Sequence, residues 1–125
     1  MYYLFVIKDN LFKNDKDYLF ELLYKIKNMK KENYSYGISL YYSICIPFKE
    51  EIIKNYLNNK FKLNYINNIY YINKNNYFKI NKSYCMINSN KYLRDILCIF
   101  YIYNKNIFVC NFKEGKYFWL EDKFK

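Results

Sequence analysis

The sequence predicts an α+β domain: two amphipathic helices packed on a mainly antiparallel sheet. Three observations carry that expectation. Two segments repeat apolar residues at three- and four-residue spacing. Several others are continuously apolar or alternate with a period of two. Asparagine-rich turns separate the strands of the second half. The expected order is β-α-β-α followed by β-hairpins, in one compact domain over residues 1–125.

Each element has its own reason. Tyr2-Tyr3-Leu4-Phe5-Val6-Ile7 is continuously apolar and aromatic, which marks a buried strand. Asn10 to Asn14 forms a polar connection. Asp15 then stands at the N-cap of a first helix and Asp17 in its first turn, where carboxylates suit the free backbone N–H groups. Tyr18, Leu19, Leu22, Leu23, Ile26 and Met29 form its apolar stripe, and Lys30 and Lys31 close its last turn. From Tyr36 to Ile46 the period changes to two, so Ile38, Leu40, Tyr42, Ile44 and Ile46 share one face of a second strand. Pro47 ends that strand and fits the first turn of a second helix, Phe48 to Leu63, with Glu50 and Glu51 early in it.

The remainder reads as strands. Tyr65 to Ile72 and Tyr77 to Ile80 flank Asn73-Lys74-Asn75-Asn76, a hairpin connection. Tyr84 to Ile87 extends the second of these or stands as a short strand of its own. Ser89 to Asp95 makes a helical turn. Ile96 to Tyr103 and Ile107 to Phe112 form a further hairpin about Asn104-Lys105-Asn106, and Tyr117 to Leu120 follows the Glu114-Gly115 turn.

Composition restricts function more sharply than it restricts fold. Lys, Asn, Ile, Tyr and Phe fill 84 of the 125 positions, and Ala, Thr, Gln and His are absent. All five abundant residues have codons built from A and T alone. The bias therefore points to an AT-rich genome, and abundant lysine does not by itself specify a phosphate partner. With Gly37, Gly115 and Pro47 the only residues of their kinds, turns fall to Asn, which tolerates left-handed backbone. A chain that is 53% hydrophobic and 24% aromatic is not globally disordered.

Several chemistries lack their groups. Without histidine there is no usual proton carrier near neutral pH and no mixed Cys/His zinc site. Cys45, Cys85, Cys98 and Cys110 form no Cys-x-x-Cys pair and sit in apolar, strand-like runs, which favours reduced, buried thiols. The neighbouring carboxylates Asp15 and Asp17, Glu50 and Glu51, and Glu121 and Asp122 fall at helix starts or in the C-terminal tail, where capping or solvation accounts for them. Two glycines 78 residues apart cannot cradle a phosphate. The expectation is a protein that is not an enzyme, with no cofactor, no metal and no small-molecule substrate. No secretory signal is visible, and the longest apolar run has eight residues against the roughly 20 that span a bilayer. A cytoplasmic protein with no membrane contact is expected, with an organelle as the other compartment.

Charge is the remaining lead. The net +10 divides as +2 over residues 1–46, +6 over 47–92 and +2 over 93–125. In the middle third Lys54, Lys60, Lys62, Lys74, Lys79 and Lys82 interleave with Tyr65, Tyr70, Tyr71, Tyr77 and Phe78. Those lysines are the expected phosphate contacts, with Tyr70 and Tyr77 as stacking surfaces for unpaired bases. Arg94, the single arginine, is expected to meet a planar partner such as a phosphate or Asp95. RNA-recognition motifs, helix-turn-helix, Gly-x-x-Gly clamps and zinc fingers find no match; Ile38-Ser39 breaks the only approach to the first of these. The functional expectation is a small, basic, RNA-associated protein, a ribosome- or ribonucleoprotein-bound component acting by binding. Its partners would be ribosomal RNA and the proteins of the same complex. The alternative is a protein–protein adaptor or inhibitor that presents Tyr117, Phe118 and Trp119. Lysines sharing one face favour RNA. Scattered lysines with Phe118 and Trp119 exposed together favour the adaptor.

Overall fold

Tyr2–Ile7 forms β1, the strand around which the other elements are arranged. The structure, a computed structural model, describes residues 1–9 and 11–124. Asn10, which opens the polar connection expected at 10–14, and Lys125 lie outside the described residues. On one side β1 pairs with β7 (Ile107–Asn111). On the other it pairs first with β6 (Cys85–Asn88) and then with β2 (Cys45–Ile46). With β3 (Asn64–Ile66), β4 (Ile69–Asn73), β5 (Asn76–Ile80) and β8 (Lys116–Trp119), the order is β3-β4-β5-β6-β1-β7-β8, and every pairing is antiparallel.

The α+β class stands, with five helices among the described residues where the sequence suggested two. They are α1 (Lys16–Lys27), α2 (Tyr34–Ile44), α3 (Glu50–Lys60), α4 (Leu93–Tyr103) and the short α5 (Leu120–Phe124); a 3-10 turn, Lys31–Asn33, precedes α2. They lie on both faces of the sheet. Leu4 and Val6 of β1 pack with Ile53 and Leu57 of α3 and Ile96 and Phe100 of α4. Phe5 and Ile7 pack with Leu19 and Leu23 of α1 and Tyr41 and Ile44 of α2. Successive strand side chains point to opposite faces, so β1 feeds two cores at once. This is why its sequence is apolar without interruption.

Two expected strands are helices. Tyr36 to Ile46 is α2 for most of its length, and only Cys45–Ile46 is extended. Its buried residues, Gly37, Tyr41 and Ile44, are four and three apart, so the same run that alternates also carries a helical stripe. A Cβ on Gly37 would come within 2.7 Å of the Met29 sulfur, so glycine lets α2 close on the end of the preceding segment. Ile96 to Tyr103 lies wholly within α4, where Ile96, Leu97, Ile99 and Phe100 are buried. A continuous apolar run does not distinguish helix from strand. The turn before it is fixed in place: Ser89 Oγ accepts the Tyr92 N–H at 3.0 Å and donates to Asn76 Oδ1 at 2.7 Å, which anchors the start of α4 on β5.

The other differences are smaller. Asp15 occupies the N-cap of α1 without a side-chain cap bond, and the last-turn cations are Lys25 and Lys27, leaving Lys30 and Lys31 past the helix end. Pro47 lies in the connection before α3 rather than inside its first turn, which Glu50 and Glu51 occupy. The run Tyr65 to Ile72 breaks at Asn67-Asn68, both at positive φ (52° and 66°), giving a two-residue hairpin that pairs Ile66 with Ile69. The hairpin at Asn73–Asn76 is as expected. Asn73 Oδ1 accepts the backbone N–H groups of Asn75 and Asn76 at 2.9 and 3.0 Å.

Candidate nucleic-acid interface

Strand alternation sorts the middle third into an inner and an outer set. Tyr70 of β4 and Phe78 of β5 face each other across the pair and belong to the core under α3 and α4. Their neighbours Tyr71 and Tyr77, also directly paired, therefore point the other way. The buried core beneath α1 and α2 takes no residue from β3, β4 or β5, so this side of these strands stays open.

Register defines what the open face presents. Asn64 pairs with Tyr71, Tyr71 with Tyr77, and Tyr77 with Asn88, a row across four strands. At the usual spacing of about 4.8 Å between strands, that row is about 14 Å long. Asn64 is exposed and the other three are half-buried. The two tyrosine rings lie 5.4 Å apart between centroids, tilted by 48°. Beside this row Lys79 pairs with Met86, and Met86 with Tyr3. No acidic residue occurs between Glu51 and Asp95, so the face carries ammonium, amide and aromatic groups and no carboxylate.

The expected contact residues are divided by this geometry. Lys79 emerges on the open face beside Tyr77, and Lys74 sits exposed at the tip of the β4–β5 hairpin. Lys54 and Lys60 ride on α3, across the sheet from Lys79, and Lys62 follows that helix on the way to β3. Lys82 lies in the loop between β5 and β6, on the side of α1 and α2. The single shared lysine face is absent. Among the described residues none of these six lysines forms an ion pair.

Tyr70 is corrected from a stacking surface to a core residue. It is 3% exposed, its ring stacks on Phe78 at 5.2 Å between centroids, and its hydroxyl donates to Glu50 at 2.6 Å. Burial first, and then the bond to Glu50, raises the phenol above its ordinary range. Arg94 is also elsewhere: its guanidinium lies 5.4 Å from the Phe124 ring centroid, on the α4–α5 side. A flat aromatic ring supplies the planar partner that the sequence assigned to phosphate or Asp95.

The alternative patch dissolves for the same reason of alternation. Phe118 and Trp119 are adjacent in β8 and so point to opposite faces. Trp119, 3% exposed, packs beneath α1, while Phe118 lies against the other core under the Lys123 ammonium. Asn64, Tyr71 and Asn88 were not among the expected contacts. The needed signal was which of Tyr70 and Tyr71 faces inward, and two identical neighbours do not carry it.

Three of the four thiols are sealed. Cys45, Cys85 and Cys110 are buried, and burial pushes the Cys45 thiol up to about 12 and the other two upward as well, whereas Cys98, also expected to be buried, is only half-buried on α4. Among the described residues no cluster of three or more metal-ligating side chains occurs, and no helix is long and apolar enough to cross a membrane. The chain matches no protein-family model, and comparison with curated proteins finds no relative.

Proposed function

We propose that this chain is a small, basic, RNA-associated protein, a binding component of a ribonucleoprotein particle that acts without catalysis. Unpaired nucleotides lie across the open face of β3–β6. Tyr71 and Tyr77 stack on bases, Asn64 and Asn88 meet base edges, and Lys79 and Lys74 neutralise the phosphates beside them. The reading rests on one observation: a paired aromatic row on an uncovered sheet, flanked by amides and lysines with no carboxylate among them. Lys54 and Lys60 contribute long-range field only, because α3 holds them on the far side.

Titration of fluorescent single-stranded RNA from 50 to 300 mM salt tests the reading. Affinity should fall as salt rises, and Lys79→Gln should lower the salt slope by about one, whereas Lys54→Gln should leave it unchanged. Salt-independent binding, or equal effects of the two substitutions, removes the interface from consideration.

A further inference from the structure

A cavity of about 390 Å³ lies between the end of α1, α2 and the loop at residues 82–83, with Met29, Gly37, Ile38, Tyr42 and Lys82 in its wall. A second cavity, of about 210 Å³, adjoins it toward the sheet, where Leu23, Lys27 and Tyr84 line it. Ile26, Tyr41 and Ser83 belong to both walls. The larger alone is within the roughly 300–1,000 Å³ typical of small-molecule sites.

Tyr41 is the anomaly. It is 6% exposed, and its hydroxyl is sealed from solvent with no hydrogen-bond partner among the described residues. An unpaired buried hydroxyl is disfavoured, so this conformation carries a cost that an acceptor would remove. Burial, ahead of its neighbours Cys45, Tyr42 and Cys85, keeps the phenol protonated and therefore a donor. The charged wall residues are Lys82 in the larger cavity and Lys27 in the smaller, with no carboxylate in either. Both walls are mostly apolar side chains.

We propose that the two cavities together form a binding site for a small apolar monocarboxylate, with Lys82 and Tyr41 on its head group and Ile26, Met29 and Ile38 around its body. The carboxylate supplies the acceptor that the Tyr41 hydroxyl lacks. Rotation of the Tyr41 ring out of the shared wall delivers the O–H to it and joins the two spaces. A cation would meet the Lys27 and Lys82 ammonium groups with no carboxylate to offset them, and the mostly apolar side chains around them suit an anion that carries an apolar body. The site is separate from the Tyr71–Tyr77 row and does not rest on the RNA reading.

Calorimetric titration of the full chain with octanoate and with 3-phenylpropionate tests the site and distinguishes an alkyl from an aryl occupant. One of the two acids should bind saturably at one site. Its neutral analogue (1-octanol or 3-phenylpropanol) and octylamine should each bind at least about tenfold more weakly. Lys82→Gln should weaken the acid at least about fivefold and leave the alcohol unchanged. Tyr41→Phe separates ligand binding from folding: it should raise Tm by removing the unpaired hydroxyl, yet weaken the acid. Tyr77→Ala should leave acid binding unchanged. The proposal is overturned if neither acid saturates, if alcohol and acid bind equally, if Lys82→Gln has no effect, or if Tyr77→Ala abolishes acid binding.

Discussion

All five residues of β7 are buried, whereas β5 buries only Phe78 and Ile80 of its five. The two strands share Asn, Phe and Ile, but β5 adds Tyr77 and Lys79 where β7 adds Val109 and Cys110, and they differ in what covers them. β7 lies between α1 on one side and α4 and α5 on the other, so Phe108 and Cys110 fill one core while Ile107 and Val109 fill the second. β5 has α3 and α4 on one side and no helix on the other, which leaves Tyr77 and Lys79 half-exposed. An aromatic residue between two layers contributes to stability. The same kind of residue where a layer is missing stays partly exposed. The cost of leaving that face open is small because its row is built from tyrosine and asparagine, which keep polar groups in water.

The comparison breaks most readily at its two extremes. Phe108→Ala, in the doubly covered half, should cost about 3–5 kcal/mol in urea denaturation, a large share of the stability of a typical domain. A loss under about 1 kcal/mol would mean that the two layers are not packed as described. Tyr77→Ala should do the reverse, weakening single-stranded RNA by about 1–3 kcal/mol while changing stability by less than about 1 kcal/mol. If it unfolds the protein, the open face is structural.

Alkaline pH probes the covered half. The thiols of Cys45, Cys85 and Cys110 are raised above their ordinary value of 9.0, so the folded state holds these protons more tightly than the unfolded chain does. Their contribution is fully present below pH 9 and is lost as pH rises toward the folded values, at up to about 1.4 kcal/mol per pH unit for each thiol. Urea midpoints should therefore fall from about pH 9 upward, and a flat profile to pH 11 would mean that the thiols are not sealed. The smallest effect concerns the edge of the open half. Asn67→Ala, at φ 52°, should cost about 1–2 kcal/mol for forcing a Cβ residue into left-handed backbone, whereas Asn67→Gly should not destabilise. Equal cost for both would place the strain elsewhere.

Tyr2–Ile7, the Leu19, Leu23 and Ile26 part of the α1 stripe and the Asn73–Asn76 hairpin were legible from residue order, because each depends on neighbours in sequence: unbroken apolar character, three- and four-residue spacing, and an asparagine side chain closing its own turn; Tyr18, counted in that stripe, is exposed, and Phe20 packs on the core instead. α2 and α4 were not legible. The run Tyr36 to Ile46 carries both periods, Ile38, Leu40, Tyr42 and Ile44 alternating while Gly37, Tyr41 and Ile44 are helically spaced, and the run Ile96 to Tyr103 satisfies neither preferentially. Their conformation was chosen by what they pack on: Met29 against Gly37, and the cores over β1 and β7. The charge excess of residues 47–92 was countable in advance, but its partition was not. Lys54 and Lys79 share a sign and a segment, yet α3 and β5 carry them to opposite sides of the sheet. Composition and periodicity determined that this chain folds as helices on a sheet, since both act through short-range spacing. Which tyrosine faces inward, and which cations stand together, was decided only by the tertiary structure, because that depends on strand register and on which strands a helix covers.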